Sequence, residues 1–342
     1  MFKSQIPSKM NRPKPYSILY GILFCSCLTI IVKSFHQIPN LTLLSPLMLA
    51  VILGITIRNS IGVSPIFEPG IKFCLKRLLK FAIVLLGLKL SLAEVQTVGI
   101  KGVIIVAISI ISTFSFTLWL GRKLGIRQRL ACLIATGTSI CGASAIVATS
   151  SVIESSEEDV VYAISLVTVM GTIATFLYPI ISTIIQLSPE AFGIWCGASI
   201  QDVAQVIAAS FQNGDTSGML ATISKLSRVL FLIPAMITLS YYAASLGLGR
   251  AEKTSKKVPV PWFAVAFIMA VIINSFNIIP VDIKNSISQT NPFLLTISLI
   301  ALGLNTNLSK ISKIGFRPIY LAGISWIFLS VSSLFFIKIF GY

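Results

Sequence analysis

The amino-acid sequence predicts an all-α membrane protein with about eleven transmembrane helices, inverted repeats and helices broken at mid-membrane. Its 342 residues are 55% hydrophobic and only 11% charged, which is too apolar for a water-soluble surface. Apolar runs long enough to cross a hydrocarbon core of roughly 30 Å recur along the whole chain. Two segments, at 86–102 and 302–318, resemble each other. These observations indicate one integral membrane domain over residues 1–342.

Clusters of glycine, proline and charge separate the apolar segments, as in GRKLGIRQR, ESSEED, LSPE and NGDTSG. The first segment follows a basic amino end, but no cleavage site of small residues follows it, so we interpret it as an uncleaved helix. The predicted helices cover residues 17–33, 41–57, 74–92, 101–120, 129–151, 160–185, 191–210, 219–246, 260–279, 291–307 and 317–339.

Lysine and arginine predict the orientation, because short cytoplasmic loops carry an excess of both. With the amino end inside, the predicted inner segments hold 20 of these residues and the outer segments hold 5. The acidic ESSEED loop then falls outside. The sequence therefore predicts a multi-pass protein of the cell's inner membrane, with a cytoplasmic N-terminus and an external C-terminus.

The internal repeat pairs LGLKLSLAEVQTVGIKG (86–102) with LGLNTNLSKISKIGFRP (302–318), at an offset of 216 residues. Applied along the chain, this offset defines repeat A at about 17–120 and repeat B at about 219–339, around central spans at 129–210. Corresponding helices are seven positions apart in the order of spans, which is an odd number, so the two copies face opposite sides. Inverted repeats of this kind are typical of secondary transporters.

A first polar motif, ATGTSICGASAIVATSS (135–151), combines glycines and hydroxyl residues inside an apolar segment. Small residues of this kind also allow two helices to pack closely, which is the alternative interpretation. We predict a helix break at mid-membrane, because irregular backbone at that depth lines a cavity and presents free N–H groups to an anion. The residues that would bind this anion are Thr138, Ser139, Cys141, Gly142 and Ser144.

A second motif, CGASIQDVAQV (196–206), repeats Cys-Gly-Ala-Ser at a second predicted break and places Gln201, Asp202 and Gln205 on a polar face. The two Cys-Gly-Ala-Ser segments run in the same direction in the predicted topology, so an inverted relation would require one of them to be a half-span or a re-entrant hairpin. A carboxylate in hydrocarbon is costly and usually marks a pathway, a proton relay or an ion site, although a fixed salt bridge is the alternative. Lys225 and Arg228 lie three residues apart in the next segment and would pair with Asp202, leaving one net positive charge. Such a site suits an anion and exchange against protons.

The composition excludes several classes of protein. A net charge of +16 does not indicate nucleic-acid binding, because the basic residues lie in short connections between apolar segments. The six cysteines have neither disulfide nor zinc spacing and are interpreted as small buried residues. No metal motif, nucleotide loop or nucleophile triad is found in the sequence, so we expect neither an enzyme nor a cofactor.

The motifs resemble the sulfate exporter family of bacterial multi-pass membrane proteins. The resemblance covers most of the chain and rests on the segments GTSICGASAIVA, GASIQDVAQV, KLSR, VLLGLKLSL and LGLNTNLSKISKIGFRP. It implies kinship with the cation/proton antiporter and bile-acid symporter fold group, in which a core with crossed, broken helices moves against a panel. A position that is often histidine in the family is Gln201 here, which argues against a mechanism that needs an imidazole there.

Together these patterns predict a secondary active transporter of a small inorganic or organic anion, such as sulfate or a related sulfur oxyanion, working by alternating access. Lys225, Arg228, Ser199 and Gln201 would join the hydroxyl residues of the first motif around the anion, and Asp202 with Gln205 would balance charge or bind a coupling proton or sodium ion. The alternatives are a sodium-coupled organic-anion symporter and a non-transporting receptor or scaffold. The expected partners are the anion, the coupling ion and the lipid bilayer, with a homodimer left open.

Overall fold

The computed structural model describes residues 15–36, 44–90, 92–153, 155–243, 261–276, 278–307 and 316–341, which form helices joined by short connections and contain no strand. The basic segments 1–14, 244–260 and 308–315, predicted to be cytoplasmic, lie outside these ranges. The helices are α1 (Pro15–His36), α2 (Pro46–Ser60), α3 (Glu68–Phe73), α4 (Leu79–Gly87), α5 (Leu92–Lys123), α6 (Gln128–Ser139), α7 (Ala143–Ile153), α8 (Glu157–Ile184), α9 (Pro189–Ser199), α10 (Val203–Ser210), α11 (Asp215–Leu230), α12 (Leu232–Ala243), α13 (Trp262–Ser275), α14 (Val281–Asn305) and α15 (Phe316–Ile339). A π-helical turn, Cys74–Leu78, joins α3 to α4.

Six stretches in the described part of the chain are long and apolar enough to cross a membrane. They lie in α1, α5, α8, α11 with α12, α14 and α15. The other predicted segments coincide with shorter or interrupted helices, namely α2, α3 with α4, α6 with α7, α9 with α10, and α13. Every predicted apolar segment is therefore helical, and six of them have the length of a span.

The helices pack into two groups. The scaffold group, α1–α4 with α13 and α14, is held by close glycine contacts: Gly54 of α2 lies against Gly303 of α14, and Gly21 of α1 against Gly70 of α3. The hairpin group contains α5–α12 and α15. Few contacts join the groups, chiefly those of α10 with α2 and α14.

The chain reverses between α6 and α7. Nη2 of Arg127, just before α6, lies 2.7 Å from Oδ1 of Asp159 in the first turn of α8, so the chain returns to the end at which α6 began. In a continuous helix, Gly137 and Ile146 would be ~13.5 Å apart, because nine residues separate them. In the structure they are in contact, since a Cβ atom on Gly137 would collide with the side chain of Ile146. Helices α6 and α7 thus form a re-entrant hairpin, hairpin 1 (128–153).

A second reversal lies between α9 and α10, at the other end of α8. Ser217 Oγ at the start of α11 donates to the carbonyl oxygen of Pro189 at the start of α9, at 2.7 Å. Beyond α10, Asn213 Nδ2 donates to Ser182 Oγ near the end of α8, at 3.3 Å. Both ends of this segment therefore lie beside the end of α8. It forms hairpin 2 (189–210), which enters from the side opposite to hairpin 1.

These hairpins correct two predictions. Segments 129–151 and 191–210 were expected to run across the membrane as broken helices, and instead each returns to the side from which it came. The ESSEED loop was expected on the opposite side from Arg127, whereas the Arg127–Asp159 ion pair places them on the same side. The resemblance implied crossed helices, but the breaks occur at hairpin tips.

The helix bounds repeat with the predicted offset of 216 residues. Shifted by this amount, α2, α3 with α4, and the part of α5 after Gly99 coincide with α13, α14 and α15 to within three residues. The contacts follow the same pattern, because α4 packs on α13 while α14 packs on α2. The hairpins and α8 lie between the two copies in the chain.

Candidate functional site

The tips of the two hairpins meet at the centre of the hairpin group and share a Ser-Ile sequence. Helix α6 ends at Ser139 and α9 ends at Ser199, each followed by an isoleucine that terminates the helix. Both serine hydroxyls donate to the carbonyl four residues earlier at 2.6 Å, Ser139 to Ala135 and Ser199 to Trp195. Ser139 and Ser199 therefore occupy equivalent positions, 60 residues apart. The two Cys-Gly-Ala-Ser sequences are not equivalent, because this sequence follows the break in hairpin 1 and precedes it in hairpin 2.

Lys225 of α11 joins the two tips. Its side chain is 0% exposed. Nζ donates to the carbonyl oxygen of Ile140 at 3.1 Å and to that of Ile200 at 2.8 Å, the first residues after α6 and α9. Carbonyl groups at a helix C-terminus lack partners within the helix and carry partial negative charge, so an ammonium group between two such ends stabilises both.

Arg228, one turn further along α11, spans the same two helix ends and is also 0% exposed. Nη2 donates to the carbonyl oxygens of Thr138 at 3.0 Å and Ser139 at 2.7 Å. Nη1 donates to those of Ile200 at 3.2 Å and Gly197 at 3.4 Å. A planar guanidinium with several fixed donors suits two diverging groups of carbonyls. The pair therefore joins the hairpins through backbone atoms.

The expected salt bridge with Asp202 is not formed. Among the described residues, neither Lys225 nor Arg228 has a carboxylate oxygen within 4.0 Å. Their donors point at the C-terminal ends of α6 and α9, whereas Asp202 lies at the N-terminal end of α10. A helix N-terminus is electropositive, so a carboxylate is favoured there and a cation is not.

Asp202 is the N-cap of α10. Oδ1 accepts from the backbone N–H of Ala204 at 2.9 Å, and Gln205 Oε1 accepts from the backbone N–H of Asp202 at 3.3 Å, which completes a capping box. The Gln205 amide nitrogen donates to the Thr168 carbonyl at 2.9 Å and to the Thr172 hydroxyl at 3.1 Å, both on α8. The side chain of Asp202 is partly exposed.

The remaining predicted residues divide into buried and accessible ones. Gln201 is 1% exposed and lies beside Gly142 of the other tip, and neither of its side-chain amide atoms has a hydrogen-bond partner in the described structure. Thr138, Ser139 and Ser199 are buried. Ser144, in the first turn of α7, is exposed, and its hydroxyl lies 3.0 Å from the buried Cys141 Sγ. All eleven predicted site residues thus lie at the two tips, in α10 or on α11.

One further residue contacts the site but was not predicted. Gly171 of α8 leaves room for the Gln205 side chain, since a Cβ atom there would collide with Gln205 Oε1. A lone glycine in an apolar segment carries no signal of this role in the sequence.

The interpretation of the cysteines as small buried residues is confirmed for five of the six and is wrong for Cys27. All six are free, and all except Cys27 are buried. In the described part of the chain, no group of three or more histidine, cysteine or acidic residues could hold a metal ion.

Comparison with known proteins shows the family. A family model described as "Conserved hypothetical protein 698" matches residues 20–322. A UPF0324 membrane protein of Photorhabdus laumondii is 36% identical over 341 residues, covering 96% of this chain and 94% of the relative. The UPF0324 inner membrane protein YeiH of Escherichia coli K12 is 36% identical over 293 residues, covering 84% and 83%.

A UPF0324 membrane protein of Bacteroides thetaiotaomicron is 31% identical over 330 residues, covering 94% of this chain and 98% of the relative. No solved structure matches the chain. The relatives are membrane proteins by name, and the apolar helices described above agree with that location. The chain is a membrane protein and belongs to the UPF0324 family.

Proposed function

We propose that this protein is a secondary active transporter of a small anion in the inner membrane, working by alternating access. The observation that carries the proposal is the meeting of two opposed hairpin tips around Lys225 and Arg228. Irregular backbone and buried charge are costly at mid-membrane and usually serve a solute pathway. Lys225 is ten residues into α11, ~15 Å from its start, which is half of a hydrocarbon core of ~30 Å.

The anion would bind on the N-terminal side of the tips. Helix α7 begins there with Cys141, Gly142 and Ser144 nearby, and its first N–H groups have no partner within the helix. Lys225 Nζ and both Nη atoms of Arg228 are engaged by carbonyls, and only Arg228 Nε lacks a partner among the described residues. Through the engaged atoms these cations would raise the local positive potential without touching the anion. This revises their predicted role as direct ligands.

Asp202 would respond to the coupling ion. It is partly exposed, lies at a helix N-terminus and forms no ion pair within 4.0 Å in the described residues. Binding of a proton or a sodium ion would cancel its charge and so strengthen anion binding nearby. The side-chain amide of Gln201, which has no hydrogen-bond partner among the described residues, would then bind either the anion or the coupling ion.

The topology that fits the hairpins has nine crossings: α1, α2, α3 with α4, α5, α8, α11 with α12, α13, α14 and α15. The N-terminus remains cytoplasmic and the C-terminus external, because removing two crossings leaves their number odd. The ESSEED loop moves to the cytoplasmic side, which is compatible with the charge rule since acidic residues contribute little to it. Corresponding helices of the repeats still run in opposite directions, as inverted-repeat transporters require.

Flux in reconstituted vesicles tests the proposal. Proteoliposomes would be assayed with sulfate, sulfite, thiosulfate, short sulfonates and small carboxylates, under proton or sodium gradients. We expect flux of at least one anion, a weaker apparent affinity for it in Ser144→Ala, and unchanged flux in Ser151→Ala at the far end of α7. Asp202→Asn should remove the dependence on the ion gradient.

The outcomes separate the candidate functions. Uptake driven by sodium alone would favour the organic-anion symporter. A folded protein that moves none of these anions would contradict transport and favour a receptor or scaffold.

A further inference from the structure

A lateral cavity of about 590 Å³ lies between α5, α6 and α12 in the hairpin group and reaches Ile140 at the tip of hairpin 1. Apolar side chains form most of its lining, including Ile111, Phe114, Leu118 and Met236. Ile111 is 67% exposed at the protein surface, so the cavity opens sideways toward the hydrocarbon. An apolar space that opens to lipid fits an acyl chain.

The depth of the cavity matches one leaflet. Its lining runs along α6 from Gln128 at the start of the helix to Ile140 at the tip. These residues are twelve positions apart, ~18 Å at 1.5 Å per residue, and one leaflet of a ~30 Å hydrocarbon core is ~15 Å deep. An acyl chain that entered beside Gln128 would therefore end near Ile140.

The mouth of the cavity is positively charged. Arg122 is the one charged residue in the lining, and no carboxylate of the described residues lies within 4.0 Å of its guanidinium. Lys123 and Arg129 are exposed next to it, and Lys123 Nζ lies 4.6 Å from the ring centroid of Trp119. Trp119 is 51% exposed, and tryptophan is enriched at the headgroup level of membranes. Clustered basic residues at that level attract anionic headgroups.

We propose that this cavity is a binding site for one anionic phospholipid, with an acyl chain in the cavity and the phosphate on Arg122. Arg122 offers a planar set of donors that suits a phosphate group. The acyl chain of the lipid packs on α6. Because the terminal carbonyls of α6 are held by Lys225 and Arg228, the lipid stabilises hairpin 1. The site takes its ligand from the bilayer and does not depend on the transported solute.

Lipid retention by the full-length protein tests this site. The purified, delipidated protein would be incubated with phosphatidylglycerol or with phosphatidylcholine carrying the same acyl chains. Bound lipid would be counted by native mass spectrometry and the melting temperature measured in parallel. We expect one phosphatidylglycerol per chain and a raised melting temperature, because a ligand that binds the folded state stabilises it.

Three variants separate the headgroup from the acyl chain. Arg122→Gln should weaken phosphatidylglycerol binding about fivefold, as expected for one basic residue at an anionic surface. Lys101→Gln, an exposed cation near the opposite end of α5, should bind as the wild type does. Ala235→Phe fills the cavity and should abolish retention of the lipid. If Ala235→Phe does not fold, Ser115→Phe fills the same cavity and replaces it in the test.

Equal retention of both lipids, equal loss in Arg122→Gln and Lys101→Gln, or unchanged retention in both filled variants would overturn the proposal. Binding of a single-chain alkyl sulfonate without binding of phosphatidylglycerol would also overturn it.

Discussion

At the scale of single residues, Lys225 and Arg228 act through backbone carbonyls. The sequence marks both as costly charges within an apolar segment, and they are the two fully buried cations at the hairpin tips. The prediction that they pair with Asp202 is wrong. The spacing of residues along the chain does not show which helix end a side chain faces. The carbonyl groups that they bind are invisible in the sequence, since every residue has one.

Replacing Arg228 should destabilise the protein. Arg228→Met leaves carbonyl groups at the ends of α6 and α9 without their donor. Each buried carbonyl that loses its partner costs about 1–3 kcal/mol, so we expect a total loss on the order of 3 kcal/mol or more. Thermal unfolding in detergent measures it, with the exposed Arg129→Met as control. Equal melting temperatures of the two variants would contradict this assignment.

A methyl group on Gly171 should disturb hairpin 2. Gly171→Ala would displace the Gln205 side chain and so remove half of the capping box at Asp202. We expect a loss of about 1 kcal/mol, the usual worth of an N-cap, and reduced anion flux. Gly323→Ala in α15 is the matched control, because the nearest atom to its new Cβ is the sulfur of Met170 at 3.9 Å. Melting temperature and anion flux should both distinguish the two variants. If Gly171→Ala changed neither quantity, the space that Gly171 leaves for the Gln205 side chain would not be needed.

At the scale of elements, the decisive feature is that α6 with α7 and α9 with α10 turn back. A helix broken at mid-membrane and a re-entrant hairpin have the same length, the same hydropathy and the same glycine and hydroxyl residues at the break. The sequence therefore predicts the break near 140 and 200 but not the direction of the chain after it. Contacts at the far ends, such as Arg127 with Asp159, decide the direction.

Labelling from one side of the membrane tests the first hairpin. Single cysteines at the exposed positions Gln128 and Glu157, in a cysteine-free protein, should react with a membrane-impermeant maleimide from the same side. Cysteines at Thr183 and Asp215, at the other end of α8, should react only from the opposite side. Labelling of Gln128→Cys and Glu157→Cys from opposite sides would show that the segment crosses the membrane.

At the scale of the whole molecule, two helix groups with few mutual contacts favour relative movement. The scaffold group is closely packed through glycines, whereas the hairpin group meets it chiefly through α10. Small interfaces between rigid bodies permit hinge or sliding motions, which alternating access requires.

Linking the two groups should stop transport. Ser45 N–H, at the start of α2, donates to Gln212 Oε1, just after α10, at 2.8 Å. A short thiol crosslink between Ser45→Cys and Gln212→Cys should block anion flux, and reduction should restore it. A link between Phe116→Cys and Phe328→Cys, which lie in one group with stacked rings 4.2 Å apart, should leave flux intact. Undiminished flux in the first crosslinked protein would contradict movement between the groups.

The sequence by itself determined the membrane environment, the helical segments, the offset of 216 residues and the candidate residues that meet at the hairpin tips. Each of these follows from local composition, periodicity or the cost of a polar group in hydrocarbon, all of which are properties of short stretches of chain. Only the tertiary structure decided that two segments turn back and that Lys225 and Arg228 bind helix ends. The physical reason is that reversal and carbonyl pairing depend on contacts between residues up to 90 positions apart, as between Arg228 and Thr138.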